Sequence, residues 1–178
     1  MRLPPEEYLK AMPPMPVVLL STIHNDVRNA APFAWITPVS MDPPLLSVSV
    51  KKTRDTFRNI TDTGEFVISV PGPDLLDKVK KAADSYPRDV SEFDMAGLTP
   101  IKSGHVEPAG IAECWANIEC RLEWMKEAGD HHIVVGRVVG VNVSDEVPAE
   151  DFGLRTPDSI LHHGGGRDRF ASVGDDLE

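Results

Sequence analysis

Nine consecutive residues, Lys51-Lys52-Thr53-Arg54-Asp55-Thr56-Phe57-Arg58-Asn59, carry four basic side chains and one acid in a chain whose formal net charge is -10. Ammonium and guanidinium groups make charge-assisted hydrogen bonds to phosphate oxygens, and the hydroxyls of Thr53 and Thr56 can complete such a shell. The segment lies where a strand pattern runs into a helix pattern. The first amides of a helix have no partner within it, so they too can converge on an anion held there. A solvated surface helix has the same composition and stays the alternative on this segment alone.

A second segment, Asn29-Ala30-Ala31-Pro32-Phe33-Ala34-Trp35, sets small residues and a proline beside two large aromatics. Small side chains let backbone N–H and C=O groups approach the edge of a flat ring, while Phe33 or Trp35 packs on the ring or in the core. Packing near a bulge accounts for the segment equally well. Two histidine pairs, His131-His132 and His162-His163, raise the question of a metal. Neighbours on a strand point to opposite faces and no acidic or thiol partner stands at ligand spacing, so no metal site is expected. Cys114 and Cys120 sit six residues apart in an alternating stretch, about 20 Å if extended. That is beyond disulfide reach, and without a C-x-x-C spacing they read as reduced core thiols.

The elements that must position these groups follow from periodicity. A short helix is expected over 6–12 and strands over 17–23, 30–39 and 45–50; in the last, Leu46, Val48 and Val50 share one face and Ser47 and Ser49 the other. A helix over 53–63 is capped by Thr53 or Asp55 and ended by Gly64. A strand over 65–70 and an amphipathic helix opened by Pro73 follow, with Leu75, Leu76, Val79, Ala82 and Ala83 on its apolar face. Residues 85–97 read as an irregular covering loop. Residues 112–124 alternate strictly and pair through a turn at 128–130 with a β-branched run over 133–143. The sum is a mainly antiparallel β chain with short helices, for which barrel closure removes the sheet edges. At 178 residues one domain spanning 1–178 is expected, with an arm over 1–16 and a loop-like or partly ordered tail over 155–178.

The acidic balance argues against nucleic acid and anionic membranes as partners. No apolar run approaches the ~20 residues of a membrane helix. The acidic, proline-bearing start lacks a secretory signal, so a cytoplasmic protein is expected.

Four ordered pieces, Asn29 to Phe33, Asp42-Pro43-Pro44-Leu45-Leu46-Ser47-Val48-Ser49-Val50, Arg54 to Ile60 and Gly129-Asp130-His131, together resemble the flavin reductase-like, flavoredoxin-type family. The stretch from Thr63 to Pro71 and Gly164-Gly165 also fit it. The resemblance implies a six-stranded, Greek-key split β-barrel that forms a homodimer with FMN near the subunit interface. It places Ala31, Pro32, Phe33, Ala34 and Trp35 along the isoalloxazine, with Asn29 adjoining. Ser47, Ser49, Val50, Lys51, Lys52, Thr53, Arg54, Thr56 and Asn59 then lie about the ribityl phosphate, and Tyr86 is a covering side chain. It implies an active-site role for His131, where His132 offers a second ring on the opposite face. The implied activity is an NAD(P)H-dependent flavin reductase passing hydride to flavin N5, with an oxygenase or other electron acceptor as partner. An electron carrier without its own nicotinamide site and a non-catalytic FMN module are the alternatives.

Overall fold

The computed structural model describes residues 2–145, 159–163 and 170–172. In chain order the strands are β1 (Met15–Pro16), β2 (Val18–His24), β3 (Val27–Phe33), β4 (Ile36–Met41), β5 (Pro44–Lys51), β6 (Glu65–Val70), β7 (Pro100–Ile101), β8 (Gly110–Ile111), β9 (Ala116–Ala128), β10 (His131–Val143), β11 (Ile160–His162) and β12 (Phe170–Ser172). The helices are α1 (Asp55–Thr63), α2 (Leu76–Ala82) and α3 (Glu92–Ala96), with 3-10 turns over Pro5–Ala11 and Pro73–Leu75. Among the described residues no helix is long and apolar enough to cross a membrane.

Seven strands form one antiparallel sheet in the order β3-β2-β6-β9-β10-β5-β4. Its closure follows from a single link. The edge strand β3 ends at Phe33 and the opposite edge strand β4 begins at Ile36, so only Ala34 and Trp35 separate them. Three Cα steps span at most about 11 Å, and the sheet must curl until its edges nearly meet. The result is the expected split barrel, with one correction. The single strand expected over 30–39 is broken at Ala34-Trp35 into β3 and β4, because a continuous strand cannot serve both edges, and the sheet has seven strands rather than six.

Alternation along β2 builds two cores. Val18 and Leu20 point into the barrel with Val48, Val50, Ile60, Phe66, Ile68, Cys120 and Val134. Leu19 points outward to an external core completed by Val79 and Ala82 of α2 and Phe93 and Ala96 of α3. The β2–β3 hairpin turns at Asn25-Asp26, both at positive φ, as the polar His24–Asn29 run leads one to expect. Gly64 ends α1 in the left-handed conformation.

Two further expectations need correcting. Residues 85–97 are not wholly irregular: Ser91 accepts a hydrogen bond from the Asp94 amide at 3.3 Å and opens α3. The alternating stretch over 112–124 becomes a strand only at Ala116 and runs on to Ala128. Asn117 captures both backbone groups of Ile111 (2.8 and 3.1 Å), which holds the preceding residues in a turn. Asn117 and Glu119, on the polar side of the alternation, are buried as hydrogen-bonding hubs, the latter accepting from the Gly104 and His105 amides. The tail contributes β11, which pairs with β1, and β12, while Gly164, Gly165 and Gly166 lie outside the described residues.

The β9–β10 ladder slips between Val135 and Gly136, and there the Phe66 ring occupies the space a side chain on Gly136 would need. Gly136→Ala is therefore expected to cost about 1–3 kcal/mol by overpacking, read as a lower midpoint in chemical denaturation.

Candidate functional site

On the outer face of the barrel, where the Ala34-Trp35 link joins the two edges, lies a cavity of about 520 Å³. This is within the ordinary range of small-molecule sites. Strand β3 runs along it, contributing Asn29, Ala31, Pro32 and Phe33, and Ala34 and Trp35 continue the wall. From β5 the outward-facing Ser49 and Lys51 reach it, and the turn into α1 adds Thr53, Arg54, Asp55 and Thr56. His131 enters from β10, Ala82 to Tyr86 from the end of α2, Glu92 from α3, and His162 and Phe170 from the tail strands.

Four sequence candidates stand off this wall. Val50 is fully buried in the barrel core, because its position on β5 alternates with Ser49 and Lys51. Ser47 lies further along β5, its hydroxyl 3.4 Å from the Thr37 carbonyl. Lys52 is exposed in the turn. Asn59 sits behind the wall, donating to the Thr22 hydroxyl at 3.0 Å and accepting from Arg88 Nη2 at 3.1 Å.

The α1 start also differs from expectation. Arg54, not Thr53 or Asp55, is the N-cap, because its amide turns back to the Lys51 carbonyl at 3.0 Å and delays the helix. No side chain caps the helix, so its first amides are left for another acceptor at the cavity wall. Asp55 instead meets Arg58 Nη1 at 3.2 Å and Arg88 Nε at 3.9 Å. Among the described residues Lys51 is paired with Asp130 at 3.3 Å, whereas Arg54 has no ion-pair partner.

Behind these groups runs a buried polar array. Asn29 Oδ1 accepts from both the Thr22 and Thr56 hydroxyls at 3.1 Å, which leaves its amide nitrogen to face Glu92. Burial pushes the Glu92 carboxyl above its ordinary pKa, with hydrogen bonds from Asn29 and the Ala30 backbone opposing the shift and the nearby Asp55 charge adding to it.

The two adjacent histidines separate cleanly. His131 faces the cavity, its ring 4.9 Å from Trp35 and its Nδ1 2.7 Å from Asp130 Oδ1. The hydrogen bond to His131, together with Lys51, holds Asp130 below the usual carboxylate pKa. His132 turns to the opposite face, its ring centroid 4.6 Å from that of Phe57 in a tilted arrangement. Both cysteines are free and buried in different cores; burial pushes Cys120 up to about 12 and Cys114 higher still, which leaves neither as a nucleophile at neutral pH.

Sequence reasoning passed over Glu92 and Phe170, and weighed His162 only as a metal ligand. Glu92 occupies a stretch read as loop, where only the Ser91 cap signal marks a helix. Strands β11 and β12 have three residues each, too short for any periodicity to show.

The residues around the cavity fit a flat, phosphate-bearing cofactor: small side chains and aromatics along one stretch, an uncapped helix start and an unpaired guanidinium along another. The chain is 40% identical over 139 residues to a protein of Methanothermobacter thermautotrophicus, covering 75% of this chain and 66% of that protein's own length. Its fold matches nitrilotriacetate monooxygenase component B from Bacillus cereus with a TM-score of 0.86 at 27% identity, covering 100% and 98% of the two chains. Flavoredoxin of Desulfovibrio vulgaris (Miyazaki F) matches with a TM-score of 0.82 at 26% identity, covering 94% and 91%. The model of the flavin reductase like domain matches residues 11–170, and the chain belongs to that family.

Proposed function

We propose that this chain holds FMN noncovalently in the cavity and works as an NAD(P)H-dependent flavin reductase. The observation that carries this reading is the conjunction, in one cavity, of an uncapped nine-residue helix with the unpaired Arg54 and the small-residue wall from Ala31 to Trp35. The helix amides, Arg54, Lys51 and the Thr53 hydroxyl hold the phosphate, with Thr56 fixed behind them by Asn29. The backbone of β3 borders the ring system. When bound, the flavin supplies the two-electron chemistry, taking hydride at N5 from reduced nicotinamide.

The chain's own residues orient and enclose. His131, braced by Asp130 on one side and Trp35 on the other, is positioned to place the nicotinamide, and Tyr86 covers the cavity from the α2 side. Trp124 and Ile133 are 48% and 36% exposed on the strands that lead to His131, which suits a second copy of the chain covering this face. The Bacillus cereus relative's name, a monooxygenase component, supports an oxygenase as the recipient of electrons.

The visible spectrum of the purified protein, taken before and after NADH or NADPH, tests the reading: flavin absorption that bleaches supports it, and a colourless protein indifferent to added FMN overturns it. Replacing Lys51 and Arg54 together with alanine should weaken FMN binding at least tenfold, given about 1.5–3 kcal/mol for a hydrogen bond to a charged group; unchanged affinity places the phosphate elsewhere. His131→Ala should slow bleaching or raise the KM for nicotinamide by roughly tenfold while sparing FMN affinity, and a variant normal in both has no histidine role at this position.

A further inference from the structure

Glu92 is a carboxyl set into the wall of a cavity otherwise suited to an anion, and it is only 8% exposed. Its place is fixed rather than incidental. Ser91 caps α3, so Glu92 is the first helical residue and turns towards β3, against the Asn29 side chain and the Ala30 backbone. Asn29 is locked in turn, since its oxygen already accepts from Thr22 and Thr56. Because Thr56 belongs to the first turn of α1 and donates to Asn29, the side chain beside Glu92 is tied to the helix start.

The titratable and charged groups around it are mixed. Asp55 approaches from α1 and raises the carboxyl's proton affinity. Tyr86, on the segment between α2 and α3, feels the Glu92 charge, and Arg88 of the same segment is held 3.9 Å from Asp55 and 3.4 Å from Asp62. Lys51, Arg54, His131, His162 and Asp84 share the cavity. The neighbour from β3, Asn29, is uncharged.

We propose that Glu92 meets the flavin phosphate in its protonated form, so that binding FMN draws one proton from solvent onto this carboxyl. The inference rests on the reading that the phosphate sits at the α1 start. A phosphate monoester brings a charge of about -1.5 to -2, and two like charges in one partly enclosed cavity raise the pKa of the weaker acid. Burial raises the proton affinity of the Glu92 carboxyl and the phosphate charge raises it further, so a carboxyl ionised in the free protein takes up a proton on binding, which removes the repulsion and supplies an O–H donor to a phosphate oxygen. The sign follows: the affinity gain is fully present below the pKa of Glu92 in the free protein. It is lost as pH rises through the higher pKa of the complex.

Calorimetric titration of FMN and of riboflavin into the full chain, between pH 5.5 and 8 in buffers of different ionisation enthalpy, reads the proton directly. The expected result is proton uptake with FMN that is absent with riboflavin. In Glu92→Gln the FMN affinity should lose a slope approaching tenfold per pH unit, the limit for one linked proton. The FMN phosphate, itself titrating near pH ~6, contributes alike to both proteins and cancels in that difference. Parallel pH profiles for the two proteins, or equal proton uptake with riboflavin, overturn the role of Glu92 while leaving FMN binding standing. Failure of the unsubstituted chain to bind FMN at any pH overturns both. An infrared difference spectrum of the unsubstituted chain should gain a protonated-carboxyl band on binding FMN and none on binding riboflavin, and its absence overturns the proposal even if the Glu92→Gln protein fails to fold.

Discussion

Everything about the site depends on two residues joining the two edges of a seven-stranded sheet. A connection as short as Ala34-Trp35 leaves the edges no freedom to part, and the Trp35 carbonyl secures the corner by accepting from the Ser49 amide at 3.0 Å. The hydrogen-bonded ladder stops at that corner, because β3 and β4 serve opposite edges. Backbone that would elsewhere be covered by a neighbouring strand therefore faces a cavity, and the residues beside it are small enough for a ligand to reach it. Trp35 also sets the histidine: its ring lies against His131, so the corner that closes the barrel places the side chain most able to act on a second ligand.

The wall opposite the corner is held by a different force. Strand β2 divides the apolar residues between a core inside the barrel and one outside it, and the outer core is what keeps α2 and α3 against β3. Each helix is short, seven and five residues, and neither would persist without that packing. Packing Val79, Ala82, Phe93 and Ala96 is thus what brings Ala83, Tyr86 and Glu92 to the cavity. The Thr22, Asn29, Thr56 and Asn59 array then ties α1 to the hairpin of β2 and β3 by hydrogen bonds that are buried and mutually satisfied. Such an array rigidifies what it connects, because no member can turn without stranding another.

How much of this was legible in the sequence depends on the length of the signal. The long strands β5, β6, β9 and β10 announce themselves by period and β-branching, and the Lys51–Asn59 segment stands out because its charge opposes that of the chain. The break at Ala34-Trp35 is invisible locally, since small residues and an aromatic are as compatible with one strand as with two; only the sheet order reveals it. The burial of Asn117 and Glu119 is hidden for a related reason. Alternation of polar and apolar residues reports two faces, yet it does not say that the polar face is wet, and here Ile111, Gly104 and His105 supply backbone groups that make burial of those side chains favourable. Residues of the site that come from α3, β11 and β12 lie in stretches of five residues or fewer, below the span at which periodicity can speak.

An acidic chain proposed to hold an anion faces an electrostatic contradiction, and the ion pairs around the cavity resolve it. At physiological salt the field of distant charges decays over about 8 Å, so the net charge of -10 governs encounter more than it governs the bound state. What counts is the local inventory after pairing. Asp55 is offset by Arg58 and Arg88, and Lys51 is shared with Asp130. Among the described residues Arg54 then remains as an unpaired guanidinium beside the uncapped start of α1. Opposing them are Asp84 and Glu92, and burial raises the proton affinity of the Glu92 carboxyl. Under the proposed function, anion recognition turns on a small difference between near-cancelling local charges, which is the condition under which a single proton can decide whether the ligand stays.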